Sequence, residues 1–132
     1  MIVFVDTSAL YALLDADDEN HPTASRRWRA LLEREATLVT SNYVVVETCA
    51  LVQHRLGLPA LRALRDDLLP VVRVEWIERE EHDAALSAVL AAMRRDLSFV
   101  DCSSFEMARR LGIKSGFAFD RHFREQGLRQ PT

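Results

Sequence analysis

The feature that most constrains this 132-residue chain is its second to fifth residues, Ile2-Val3-Phe4-Val5, an unbroken apolar run ended by Asp6-Thr7-Ser8. A strand with no polar alternation has both faces covered, as in a parallel sheet held between helices. Three further short runs have the same character: ATLVT at 36–40, VVRVEWI at 71–77 and GFAF at 116–119. Between them the apolar residues recur at helical spacing. A short helix follows Asp6-Thr7-Ser8, which offer N-cap chemistry. A second helix covers Thr23–Glu35, with Asn20-His21-Pro22 starting it, and a third runs through YVVVETCALVQHRL from a cap at Ser41 or Asn42 to a stop at Gly57. Pro59 to Leu69, Arg79 to Arg95 and Ser98 to Leu111 complete the helices, and Ala85, Leu86, Val89, Leu90 and Met93 form the expected apolar side of the fifth. Strands alternating with helices predict an α/β fold, a three-layer α/β/α sandwich with a mainly parallel central sheet, in a single domain over residues 1–132.

Composition excludes several classes. The chain is 48% hydrophobic and 28% charged, the balance of a globular protein, not a disordered one. No apolar run approaches the roughly 18 residues of a membrane span. Asp6 interrupts the opening apolar stretch and no basic region precedes it, so the stretch reads as a first strand, not a signal peptide. Two cysteines without ligand spacing, Cys49 and Cys102, argue against a disulfide framework or a zinc site and suit a reducing, cytoplasmic setting. Net charge is −3, and the basic residues are arginines except for Lys114. Tyr11, Trp28, Tyr43 and Trp76 are assigned mostly to core packing, with a place at an interface the alternative.

Ligands of parallel sheets bind beyond the carboxyl ends of the strands, so the residues immediately after each run are the ones to weigh. IVFV runs into Asp6 and FAF into Asp120, so both carboxylates are expected at one sheet edge; helix capping or a turn is the ordinary alternative for each. Glu47 lies inside a helix, and its neighbours three and four residues away (Tyr43, Val44, Ala50 and Leu51) offer no charge partner. An exposed glutamate or a pair with a distant arginine is the alternative there. Asp101 stands three residues after Ser98, the spacing of a capping box, which accounts for it structurally. As a set, four converging acids would repel one another unless a hard, oxygen-preferring cation such as Mg²⁺ or Mn²⁺ offset their charge.

At these residues the sequence resembles the PIN-domain family, and within it the VapC-type toxins of toxin–antitoxin pairs. The segments that carry the resemblance are IVFVDTSALYALL, TSNYVVVETCALV, LSFVDCSSFEMARRLGI and GFAFDRHFREQG, in family order across essentially the whole chain. The resemblance implies an α/β/α sandwich, dependence on Mg²⁺ or Mn²⁺, and endonucleolytic cleavage of RNA. Asp6, Glu47, Asp101 and Asp120 match the family's acidic quartet, with Asp6 and Asp101 chosen as primary metal ligands. Ser8 matches a hydroxyl that orients a carboxylate or a bound water. One departure is Ala118, where many relatives carry threonine. The resemblance also implies a cognate antitoxin that covers the cleft with a basic side chain among the acids, and a homodimer.

Arg121, His122 and Arg124 beside Asp120 are the candidates for phosphate contact, against a plain solvated basic turn. Rival chemistries fit less well. A phospho-acceptor receiver would want an acidic pair after the first strand and a lysine after a late one, and a dehalogenase-like phosphatase would want DxDxT where Ser8 stands. A catalytically idle PIN-like module that binds RNA or protein is the remaining alternative.

Overall fold

The computed structural model describes residues 1–131; Thr132, the last residue of the expected domain, lies outside them. Four strands, β1 (Ile2–Val5), β2 (Thr37–Ser41), β3 (Arg73–Glu75) and β4 (Ser115–Phe117), form one sheet in the order β3-β2-β1-β4. Every pairing is parallel: Val3 stands opposite Leu38 and Ser115, Phe4 opposite Val39 and Gly116, and Thr40 opposite Val74. The central place of β1 explains its composition. Val3, Phe4 and Val5 are wholly buried because helices cover both faces.

Seven α-helices lie in the described residues: α1 (Thr7–Leu14), α2 (His21–Glu33), α3 (Asn42–Leu56), α4 (Leu58–Ala63), α5 (Arg79–Ala92), α6 (Phe99–Leu111) and α7 (Arg121–Glu125). With the parallel sheet they make the expected three-layer α/β/α sandwich. Phe4, Phe117, Leu10, Leu64, Val39 and Val44 fill its core, and each such side chain contributes about 2–3 kcal/mol by leaving water. Ser41 caps α3 by accepting from the Val44 N–H, and Gly112 ends α6 at φ 68°, a left-handed turn that a Cβ would strain.

Several boundaries depart from the sequence expectation. The third strand shrinks from 71–77 to Arg73–Glu75, because Leu69–Val71 is a 3₁₀ turn and Ile77 N–H is taken by the Asn42 side chain. The helix expected over 59–69 stays α-helical only to Ala63 and then widens into a π turn over Leu64–Leu68, which turns Leu64 and Leu68 into the core. β4 stops at Phe117, two residues short of the expected end. The apolar side of α5 is also revised. Ala85 is buried and Val89 half-buried, yet Leu86, Leu90 and Met93 face solvent, since α5 packs on α6 through its small residues. Trp76 is 67% exposed and is not a core residue.

Candidate active site

Because all strands run parallel, the residues that follow them gather at one edge. Asp6 follows β1, Asn42 opens α3 directly after β2, Trp76 follows β3, and Phe119-Asp120 follow β4. Asp6 is 4% exposed. Its Oδ2 accepts from the Ser8 hydroxyl at 2.6 Å and the Ser8 N–H at 3.2 Å, so Asp6 itself is the N-cap of α1. The Ser8 hydroxyl oxygen in turn accepts from the Phe119 N–H at 2.9 Å, which ties the first acid to the loop carrying the last.

Asp120 repeats the device at α7, where its Oδ1 accepts from the His122 N–H at 2.9 Å. Asp101 is the third residue of α6 in a complete capping box: its N–H donates to the Ser98 hydroxyl at 2.9 Å, and its Oδ2 accepts from the Ser98 N–H at 3.3 Å. The capping and site readings of these residues are therefore compatible. Each aspartate spends one carboxylate oxygen on a helix N-terminus, and the other oxygen has no hydrogen-bond partner among the described residues. Three helix N-termini thus hold three carboxylates by their favourable end.

Ligand atoms of Asp101, Asp120 and His122 lie within 4.8 Å of one another. Asp6 and Glu47 complete the group electrostatically. Burial pushes the Asp6 carboxyl up to about 7 against the lowering pull of Ser8, and the charges of Asp101 and Glu47 add to the rise. Burial likewise raises Asp101, followed by repulsion from Asp120 and then from Glu47. Glu47 is half-buried on α3, one residue before Thr48. Thr48 locks that helix to α1 by donating to the Val44 carbonyl at 2.7 Å and to the Thr7 hydroxyl at 3.2 Å. No salt bridge reaches any of the four acids among the described residues. Hard oxygen donors, mutually repelling and without a protein cation, fit a divalent metal of the Mg²⁺ or Mn²⁺ class.

The basic candidates beside Asp120 part ways. His122 is 5% exposed; its Nε2 donates to the Asp96 carbonyl at 3.0 Å and its Nδ1 faces Glu125 at 3.4 Å, so neither nitrogen is open to solvent. Arg121 is exposed but paired with Asp96 at 3.2 Å and Glu125 at 3.8 Å, whereas Arg124 is exposed. Ala118 is fully buried, and its carbonyl accepts from the Gln130 side chain at 2.8 Å. Sequence reasoning took Thr7 only as cap chemistry and passed over Thr48 and Asp96. Thr48 carried a legible signal, a polar β-branched residue four from both Val44 and Val52 on the buried face of α3. Asp96 pairs locally with Arg94, but its contacts at the site, Arg121 and His122, lie 25 and 26 residues away and left no local signal.

Residues 3–127 match the family model for the PIN domain. The chain is 37% identical to the 23S rRNA-specific endonuclease VapC20 of Mycobacterium tuberculosis, over 96% of this chain and 95% of that protein. It is 23% identical to the VapC ribonuclease of Aquifex aeolicus, over 95% and 92%. The crystal structure of M. tuberculosis VapC20, described as a sarcin–ricin loop cleaving toxin, superposes with a TM-score of 0.87 at 36% identity, covering 99% of this chain and 98% of that one. FitAcB from Neisseria gonorrhoeae shares the fold, with a TM-score of 0.68 at 15% identity and coverage of 100% and 97%.

Proposed function

The chain belongs to the PIN-domain family, and from that premise we infer that it is a metal-dependent endoribonuclease, the toxin of a toxin–antitoxin pair. The observation that carries this reading is the gathering of Asp6, Asp101 and Asp120, with Glu47 beside them, at the carboxyl edge of the sheet without a protein cation. The proposed unit is a single PIN-like domain over residues 1–132. The proposed substrate is 23S rRNA at its sarcin–ricin loop, the target named for the 37% identical relative.

In this assignment Asp6, Asp101 and Asp120 would hold Mg²⁺ or Mn²⁺, with Glu47 as a further ligand, directly or through water. Bound metal supplies the charge that acidifies an attacking water and offsets charge on the leaving oxygen of the phosphodiester. The protein's own groups fix where this happens. Ser8 orients Asp6 and links it to the Asp120 loop; the Ser98 box holds Asp101; the first turn of α7 holds Asp120. Arg121 and Arg124 stand on the rim for phosphate contact, and His122 braces the loop from inside through the Asp96 carbonyl.

An antitoxin that inhibits by placing a basic side chain among the four acids fits the same charge distribution. A second copy fits the exposed stripe of Leu86 and Leu90 on α5, with Met93 just past the helix end. The stripe has Glu80 and Asp83 at one end and Arg95 at the other, next to Arg94, which is paired with Asp96 and Glu125, so an antiparallel copy would match charges at both ends. No helix among the described residues is long and apolar enough to cross a membrane, and a cytoplasmic site of action is part of the proposal.

The test is incubation of purified protein with a 23S rRNA fragment containing the sarcin–ricin loop, with Mg²⁺ or Mn²⁺ and with EDTA. Cleavage to 5′-phosphate and 3′-hydroxyl ends that needs the metal is expected. Asp6→Asn and Asp101→Asn should each abolish it while the protein stays folded. Undiminished cleavage by the double variant would remove the site, and absence of any cleavage with intact metal binding would favour the idle-module alternative.

A further inference from the structure

Trp76 is the large aromatic that the fold leaves most exposed, at 67%. Indole rings that serve only packing are rarely left this open, because the exposed face forfeits the gain of leaving water. Its position is also fixed. Trp76 follows β3 directly, and the next residue, Ile77, is buried and donates its N–H to the Asn42 side chain at 2.6 Å. Asn42 begins α3, so Trp76 is anchored at the same carboxyl edge from which Asp6 and Asp120 emerge. β3 lies two strands from β1 in the sheet order, about 10 Å at the usual strand spacing.

The first turns of α3, α5 and α6 are aromatic. Tyr43 follows Asn42 and stands one helical turn before Glu47; its hydroxyl hydrogen-bonds Nδ1 of His82. Phe99, at the start of the helix that carries Asp101, closes the set edge-on, with ring centroids 5.8 Å from Tyr43 and 5.1 Å from His82. The three rings use one another's faces and edges, and they tie together the starts of α3, α5 and α6. Glu75, which flanks Trp76, is paired with Arg73 at 2.8 Å. A ring carried at the end of a strand about 10 Å from β1 is within a few nucleotides' reach of the edge where Asp6 emerges, and unpaired bases are recognised by stacking on such rings.

We propose that Trp76 stacks on an unpaired base of the RNA substrate, flanking the scissile phosphate, and so sets how the strand crosses the acidic edge. This inference rests on the ribonuclease reading and deepens it. Trp76 acts here in substrate binding and takes no part in the chemical step.

The experiment uses intrinsic fluorescence and kinetics on the full chain with the sarcin–ricin fragment. In EDTA, where cleavage stops, added RNA is expected to quench tryptophan emission in wild type. The quench should be lost in Trp76→Phe, which keeps Trp28. In Mn²⁺, Trp76→Ala should raise KM about 10-fold, the lower part of the range for one stacked base, with kcat changed less than about 2-fold. Trp76→Phe should recover most of that loss. An unchanged KM in Trp76→Ala overturns the proposal, as does emission from Trp76 that shifts with protein concentration and ignores RNA, the signature of a protein partner. Cleavage with normal kinetics in Trp76→Ala would sink only this inference. A wild-type protein that neither binds nor cleaves the fragment would sink the ribonuclease reading along with it.

Discussion

At the scale of single residues, the carboxylate of Asp6 has to be both buried and ionised. Burial raises it to about 7 from an ordinary 3.8, so in the metal-free protein the proton favours the folded state. The stabilisation is full below about pH 4 and is lost as pH rises to about 7, on the order of 4 kcal/mol in all. Melting curves in EDTA should therefore show a lower Tm at pH 8 than at pH 5. Asp6→Asn should flatten that slope and melt higher than wild type at pH 8. Parallel curves for the two proteins would show that Asp6 does not carry the proton. At limiting Mn²⁺, wild-type cleavage should climb with pH up to about 7, because metal competes with that proton. Ser8→Ala removes the hydroxyl bond, the stronger of the two that hold Asp6 down, and keeps the N–H bond, so the midpoint of the same pH profile should move upward. An unmoved midpoint would reduce Ser8 to a loop tie.

At the scale of elements, the three aspartates are placed by helix starts, so capping energy and site geometry are one quantity. Ser98→Ala should cost about 1 kcal/mol of stability, read as a Tm lower by about 4 °C. It should also slow cleavage more than that small loss of folded protein explains, because the Ser98 hydroxyl no longer pins the Asp101 N–H at the helix start, leaving only the Ser98 N–H to hold the carboxylate. Ser98→Thr keeps a hydroxyl and should restore both; recovery of Tm without recovery of rate would separate the two roles. Much of this level is readable in the chain. The capping-box spacing from Ser98 to Asp101, the stop at Gly112 and the covered strand at 2–5 are local, and the structure has all three. The ends of β3 and α4 are not readable. Tertiary contacts set them: Asn42 takes the N–H of Ile77, and the core pulls Leu64 and Leu68 inward through a π turn.

At the scale of the molecule, the parallel sheet converts four separate sequence positions into one acidic edge, and the stripe on α5 gives the outer surface a direction. Leu90 is 70% exposed and Met93 90%. If the stripe seats a second copy, Leu90→Glu should convert a dimer to a monomer in sedimentation velocity without lowering the Tm of the fold. A wild-type protein that sediments as a monomer at high concentration would end that reading.

The strand at residues 2–5 ending in Asp6 shows where the division lies. Sequence alone determined the buried parallel sheet, the order of its elements, the candidate acids and the family resemblance, because periodicity, caps and apolar runs act over a few residues. Only the tertiary structure decided that Asp6, Asp101 and Asp120 keep one oxygen free while the other serves a helix start, that His122 turns inward to Asp96, and that Trp76 and the α5 stripe face water. Those outcomes depend on which surfaces meet. Burial, desolvation and charge repulsion act between residues distant in sequence, and they take their values only when the sheet has brought those residues to the same edge.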